Sequence, residues 1–430
     1  MEGKHTNKLT KDFCLGKGEI IFASIVTILF FALMLYREAL GFLQMSPEGA
    51  YEGYCIPDYM INYQGGFVRR GLLGELLLQA FQIHPFAVHE VVYFMDKIFL
   101  LFLVVVSFPV FKKMGWYPIF PLAIFMSTPS YRRDFLMIAI SYFIFDNLLK
   151  YIKYKKALNI FLCMLLMVLS ILLYEPSFFF IVPISIIIFW FGMVRQIPRK
   201  ESTMQTISVF VLPIVSFGVV CLAKGSTEMA AQIWRSWQPM FDYVGTQYQP
   251  ETIPAAIDFL GKSTTDVILF HLKINYQYLS RILGSIAMFV CSYYLTTRAL
   301  QKRQTEQYRY ILLSDIYIFQ FICLLPMFSI LSCDFGRTIY YVIMTSYFLT
   351  FLLVKHETSF SIPIIHKWSE SIQSLLSSHK LFNHIAFYLF VLFIMPYNIC
   401  CGVPITHPLI REYIPMLLPK IQLILSMLGL

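Results

Sequence analysis

The sequence predicts an all-α polytopic membrane protein of about eleven (10–12) transmembrane helices, and three observations carry that prediction. Hydrophobic residues make up 58% of the 430 and charged residues only 14%, against roughly 25% charged in an average soluble domain. The mean hydropathy is +0.65. Apolar runs of the length a helix needs to cross about 30 Å of hydrocarbon recur along the whole chain. Lysines and arginines gather in short segments between those runs, as they do in cytoplasmic loops. A soluble globule is excluded, and residues 1–430 read as a single integral membrane domain.

Taken in order, apolar runs bounded by charges or turn residues place spans near 19–36, 91–111, 116–128, 135–152, 157–174, 177–194, 205–223, 280–298, 310–331, 338–355 and 383–402. The first follows MEGKHTNKLTKDFCLGKGE and has no small-residue cleavage site after it, so it is expected to be retained. A last stretch, 408–428, is broken by Pro415 and Pro419 and carries Arg411, Glu412 and Lys420. It reads as a twelfth span or as a helix lying in the interface. With the N-terminus cytoplasmic, 20 of the 34 lysines and arginines fall on the inner side, Lys153, Arg199 and Arg303 among them. Most sit in short loops, where the positive-inside bias acts.

The formal charge of +9 follows from those flanking residues, so no nucleic-acid partner is expected. Nine cysteines show no paired metal spacing and no disulfide framework. HExxH, GK[ST] and GxSxG motifs are absent, so no cofactor is expected, and the need for a divalent metal stays open.

Two segments are long and polar enough to be extracytoplasmic, 37–90 and 224–279. In the first, Leu72, Leu73, Leu76, Leu77 and Phe81 recur at helical spacing beside Arg69, Arg70 and Glu75. This predicts an amphipathic helix entered through Gly65 and Gly66. The second carries Trp234, Trp237, Tyr243, Tyr248, His271 and Tyr276. A headgroup-level aromatic belt is preferred there over sugar stacking.

Laying the charges onto this topology brings one end of the spans into view. Asp58, Arg69 and Arg70 lie in the first outer loop, Arg132, Arg133 and Asp134 in TPSYRRDF, Glu175 in YEPSFFF, and Asp334 and Arg337 in DFGR. Four separate segments thus deliver acids and arginines to the same side, where charge close to hydrocarbon must be paired or hydrated. Guanidinium groups stay charged at any working pH and present a planar fork to phosphate oxygens. A carboxylate in reach of an acceptor hydroxyl can take its proton as it attacks. Asp58 leads as the catalytic base, with Glu175 and Asp134 behind it. Arg69, Arg70, Arg132, Arg133 and Arg337 are the phosphate-binding candidates, and Asp334 is a supporting residue.

Each has a plainer use as well. Asp58 follows Pro57 and suits a turn or cap. Arg132, Arg133 and Asp134 suit a local ion-pair cluster, Asp334 and Arg337 a pair across one helical turn, and Arg69 and Arg70 snorkelling to headgroups.

The runs DYMINYQGGFVRRGLLGE (58–75), YEPSFFF (174–180) and DFGR (334–337) resemble bacterial multi-spanning proteins of capsule, O-antigen and exopolysaccharide assembly. They are similar to polysaccharide polymerases and to membrane glycosyltransferases with polyprenyl-phosphate-linked donors. The resemblance covers the span pattern and these three motifs. Tyr174 stands where His is expected before the glutamate, and Phe335 where Trp is expected. It implies an acid in the first outer loop, mapping onto Asp58 or otherwise Glu48 or Glu52. It further implies a bacterial inner (plasma) membrane, a polyprenyl-linked saccharide and membrane lipid as ligands, and other polysaccharide-assembly proteins as partners. The expected function is extracytoplasmic glycosyl transfer that polymerises repeat units. The alternatives are a transporter or flippase for lipid-linked glycans, or a non-catalytic subunit of the assembly machinery.

Overall fold

The computed structural model describes residues 39, 46–52, 54–114, 133–223, 225–277, 313–329, 331, 335–358 and 362–378. Within these residues every regular element is a helix. Spans expected at 19–36, 116–128, 280–298 and 383–402, and the stretch 408–428, lie outside them.

Five helices are long and apolar enough to cross a membrane: Val88–Val110, Asp134–Tyr154, Ser177–Val194, Arg199–Leu222 and Arg337–Lys355. A shorter apolar helix, Ala157–Leu173, packs among them. The chain is a polytopic helical membrane protein by that measure.

In chain order the elements are α1 (Pro47–Glu52), α2 (Cys55–Tyr59), α3 (Gly71–Ile83), α4 (Val88–Met114), α5 (Asp134–Tyr154), α6 (Ala157–Leu173), α7 (Ser177–Val194) and α8 (Arg199–Leu222). They continue as α9 (Thr227–Arg235), α10 (Gln238–Val244), α11 (Ala255–Asp258), α12 (Thr264–Gln277), α13 (Leu313–Cys323), α14 (Leu325–Ser329), α15 (Phe335–Lys355) and α16 (Pro363–Ser378).

The helix directions follow from contacts at their ends. Asp134 and Arg337, near the starts of α5 and α15, pair with each other. Asp146, in the second half of α5, pairs with Lys355 and His356 at the end of α15. Those two helices therefore run parallel. The turn at Lys155 and Lys156 sends α6 back, and Glu175–Pro176 reverses the chain again into α7. Trp190 of α7 donates to Thr203 of α8 at 3.1 Å, so the end of α7 meets the start of α8. One end of the bundle thus holds Asp134, Glu175 and Arg337. The other holds Lys150, Lys153, Lys155, Lys156, Arg199, Lys200 and Lys355.

Of the span expected at 310–331, residues 313–329 are described, and they form two helices rather than one continuous helix. The helix breaks at Leu324, leaving 11 residues in α13 and 5 in α14. Pro326 has no N–H to offer the carbonyl four residues back, and its ring crowds that turn. Leu324 N–H instead reaches both Gln320 and Phe321 carbonyls, and Met327 N–H starts a new turn on Leu324.

The two long polar segments fold together as one cap. Ala50, Tyr59, Ile61, Leu77 and Phe81 share a core with Ile233, Trp234, Trp237 and Phe241. Trp237 donates to the Met60 carbonyl at 2.7 Å and Trp234 to the Gln249 carbonyl at 3.0 Å. Both indoles are buried, so neither forms the headgroup belt expected of them. Their apolar area goes to the cap core instead, each N–H satisfied by a carbonyl.

A helix, α3, does follow Gly65 and Gly66. It buries Gly71, Gly74, Leu77, Leu78 and Phe81, while Leu76 stays exposed. The glycines set its seat: a Cβ on Gly74 would lie 1.9 Å from the Ile61 carbonyl oxygen and 2.7 Å from that of Tyr59.

Two outcomes are expected from this arrangement. Gly74→Ala forces α3 off the 59–61 backbone, an overpacking that costs about 1–3 kcal/mol; the melting temperature in detergent should fall, and an unchanged value would mean α3 is not seated there. Single cysteines replacing Lys153, Arg199 and Glu357 in a cysteine-free background should label from one side of the membrane, and those replacing Gln64 and Glu251 from the other. Mixed labelling within either group would break the two-ended arrangement.

Candidate functional site

The site is built where the cap sits on the bundle. Arg70 caps α3 in the left-handed region, at φ 63°, a conformation that costs an L-residue about 1–2 kcal/mol. Its side chain shows what holds it there. Nε and Nη2 grip Glu175 at 2.8 and 2.7 Å, and Nη1 reaches Asp58 at 3.2 Å.

Arg133 is 1% exposed and spends both Nη groups on backbone, while its buried Nε makes no hydrogen bond. Nη1 donates to the carbonyls of Leu173 (2.7 Å) and Arg70 (3.0 Å), and Nη2 to that of Asp58. Its Nε lies 3.8 Å from the Asp58 carboxylate. The Leu173 carbonyl belongs to the last turn of α6, where no helical partner exists. Arg133 thus completes that helix end while holding the cap.

The second half of the site is the pair between Arg337 and Asp134, bonded through Nε at 2.8 Å and Nη2 at 2.7 Å. Tyr341, one turn beyond Arg337, donates to the same carboxylate. Tyr174 joins the halves. Its hydroxyl accepts from Arg337 Nη2 at 2.8 Å, and its ring lies 5.0 Å from the Arg70 guanidinium and 5.7 Å from that of Arg337. Cations on an aromatic face gain from the ring quadrupole, most of all where water is scarce.

Asp58, Arg70, Arg133, Asp134, Glu175 and Arg337 are therefore brought together from four segments. Their pairings differ from the local ones considered above. Asp134 is taken by Arg337, 203 residues away, and its neighbour Arg133 goes to Asp58 and three carbonyls. Arg69 sits at the edge, half-buried. Arg132 and Asp334 lie outside the described residues. Glu52 is exposed on α1, apart from this network. Tyr174, Tyr341 and Tyr59 complete the site without having been picked out from the sequence. The available signals were adjacency to Glu175, i+4 spacing from Arg337 and adjacency to Asp58.

Glu175 shows which electrostatic effect wins. Burial pushes its carboxyl up, but the charge and hydrogen bonds of Arg70, with the charge of Arg69, outweigh burial and hold it below the usual glutamate range. A depressed folded pKa stabilises the fold above the unfolded value and loses that contribution as pH falls through the folded one. The pair is therefore fully ionised at neutral pH. Counting Arg69, four arginines face three carboxylates, and the buried Asp96 lies close enough to act on Tyr59 beside them. Such a cluster suits an anionic ligand. Among the described residues, no three His, Cys, Asp or Glu side chains converge as metal ligands.

Comparison of the chain with family models, with curated proteins and with solved structures finds no match.

The buried and exposed pairs should part company on mutation. Arg337→Ala strands the Asp134 carboxylate, which is 1% exposed, and removing one partner of a buried pair costs about 3–5 kcal/mol. Lys153→Ala breaks a 3.5 Å contact with Glu357, whose side chain is 68% exposed, and should cost under about 1 kcal/mol. Thermal unfolding of the two variants side by side checks this, and equal losses would show that the Arg337 pair is not desolvated.

Proposed function

We propose that the chain transfers glycosyl units from a polyprenyl-(di)phosphate-linked donor on the extracytoplasmic side of a bacterial inner membrane, polymerising surface-polysaccharide repeats. The observation that supports this reading is the convergence of three carboxylates and four arginines, from four remote segments, beneath one cap. The lysine-rich far end of the same helices supports a cytoplasmic location for that end, and hence for the N-terminus.

In this reading the anomeric C–O bond to the diphosphate breaks as the acceptor oxygen bonds to the same carbon. The departing diphosphate gathers negative charge that fixed guanidinium donors stabilise. The acceptor's proton passes to a carboxylate. Asp58 fits that role best of the three. Its contacts with Arg70 and Arg133, at 3.2 and 3.8 Å, are longer than the two-pronged bonds on Glu175 and Asp134, whose shortest are 2.7 Å. A carboxylate whose arginine contacts are this long can exchange one of them for a hydroxyl. Glu175 and Asp134 hold Arg70 and Arg337 in position.

Asp58→Asn tests the reading. The amide keeps the shape but cannot take a proton, and losing general-base help lowers a rate by about 10²- to 10⁴-fold with binding largely kept. The purified variant should bind lipid-linked repeat without elongating it, and single repeats should accumulate on the outer leaflet. Normal elongation would remove Asp58 as base. Accumulation on the inner leaflet would replace polymerisation with transport.

A further inference from the structure

Arg69 and Arg70 are adjacent and chemically alike, yet the structure separates their roles. Arg70 uses Nε, Nη1 and Nη2 on Asp58 and Glu175, and its carbonyl accepts from Arg133. The forks of Arg133 and Arg337 are committed in the same way. Arg69 makes no hydrogen bond or ion pair among the described residues. Its charge is nevertheless felt at Glu175 and at Cys221 in the last turn of α8.

The position matters as much as the free fork. Near Cys221 the α8 flank is apolar and exposed, with Val215 at 53%, Val219 at 48% and Leu222 at 78%. Leu76, on the helix that follows Arg69, is 53% exposed. Apolar surface of this kind faces acyl chains in a bilayer. Arg69 therefore stands where the polar network meets an exposed apolar flank. An arginine there needs an anionic partner, and its planar fork matches phosphate oxygens in two places at once.

We propose that Arg69 grips the phosphate of a long-chain isoprenoid-type lipid that reaches the site sideways along α8, and that Arg70, Arg133 and Arg337 are positioning residues. The ligand class is an amphiphile with a phosphate or diphosphate head and an extended apolar tail, not a soluble sugar nucleotide. The assignment rests on the glycosyl-transfer reading for the isoprenoid character of the tail and for what the head group carries.

The test uses the full chain in phosphatidylcholine nanodiscs with radiolabelled polyprenyl phosphate as probe. Arg69→Ala should weaken binding by about ten- to a hundredfold, the scale of a lost charge-assisted contact, with an unchanged melting temperature. Arg70→Ala should lower the melting temperature. Wild-type binding by Arg69→Ala, or a fall in its melting temperature matching that of Arg70→Ala, overturns the division of roles. Equal displacement of the probe by phosphatidylglycerol would reduce Arg69 to a headgroup anchor. Equal displacement by inorganic pyrophosphate would remove the lipid tail from recognition. Polymer length in cells separates this inference from the reading beneath it. Lost binding with normal polymer keeps the lipid site and sinks glycosyl transfer, whereas normal binding with lost polymer does the reverse.

Discussion

One guanidinium joins the two parts of this protein. Arg133 precedes α5, and its donors reach a carbonyl at the end of α6 and two carbonyls of the cap, those of Asp58 and Arg70. An isolated buried charge is prohibitively costly, so it persists only where acceptors and a counter-charge are near. Here the backbone supplies the acceptors, the Asp58 carboxylate the charge and the Tyr59 ring a face 5.2 Å away. Removing that guanidinium would take a donor from three carbonyls in two segments at once. The geometry of Asp58 and Arg70 is in this sense set by a residue remote from both in sequence.

The rest of the site inherits its form from that anchor. Arg70 can hold a left-handed backbone because its carbonyl and all three guanidinium nitrogens are spoken for. Strained residues of this kind survive where their surroundings over-determine them, and they gather at functional sites. Tyr174 then couples the Arg70 pair to the Arg337 pair, and a tyrosine suits the place: its face takes two cations while its hydroxyl stays hydrogen-bonded.

How much of this was legible in the sequence depends on the range of the interaction. Spans such as 135–152 and 177–194 could be read closely because a helix in hydrocarbon satisfies its own backbone and needs only a long apolar run. The charged residues of the site could be read for a related reason: acids and arginines beside such runs are costly and stand out. Their pairing could not. Nothing local marks Asp134 as the partner of Arg337 rather than of Arg133. The cap was hidden likewise, because Trp237 finds the Met60 carbonyl across 177 positions, and local pattern shows an aromatic residue in a loop without showing what covers it. The break at Leu324 is the exception, since Pro326 was visible and a long apolar run outweighed it.

The bundle's own fastenings bear on what kind of machine it can be. α5 and α15 are tied at one end by Asp134 and Arg337 and toward the other by Asp146 with Lys355 and His356, at 3.0 and 2.9 Å. Between these ties, Gln320 of α13 bonds the Phe180 carbonyl of α7 and the Thr345 hydroxyl of α15, both at 3.0 Å. Alternating access works by rocking one group of helices against another about a site near the membrane's middle, so one end opens as the other closes. Here the parallel pair α5 and α15 is fastened at both ends at once and cross-linked in between to α7 and α13. Rocking between these helices would have to break the buried Asp134–Arg337 pair or the contacts of Asp146. Under the proposed function, a frame held in this way would keep the charged cluster at one end fixed while substrates come and go.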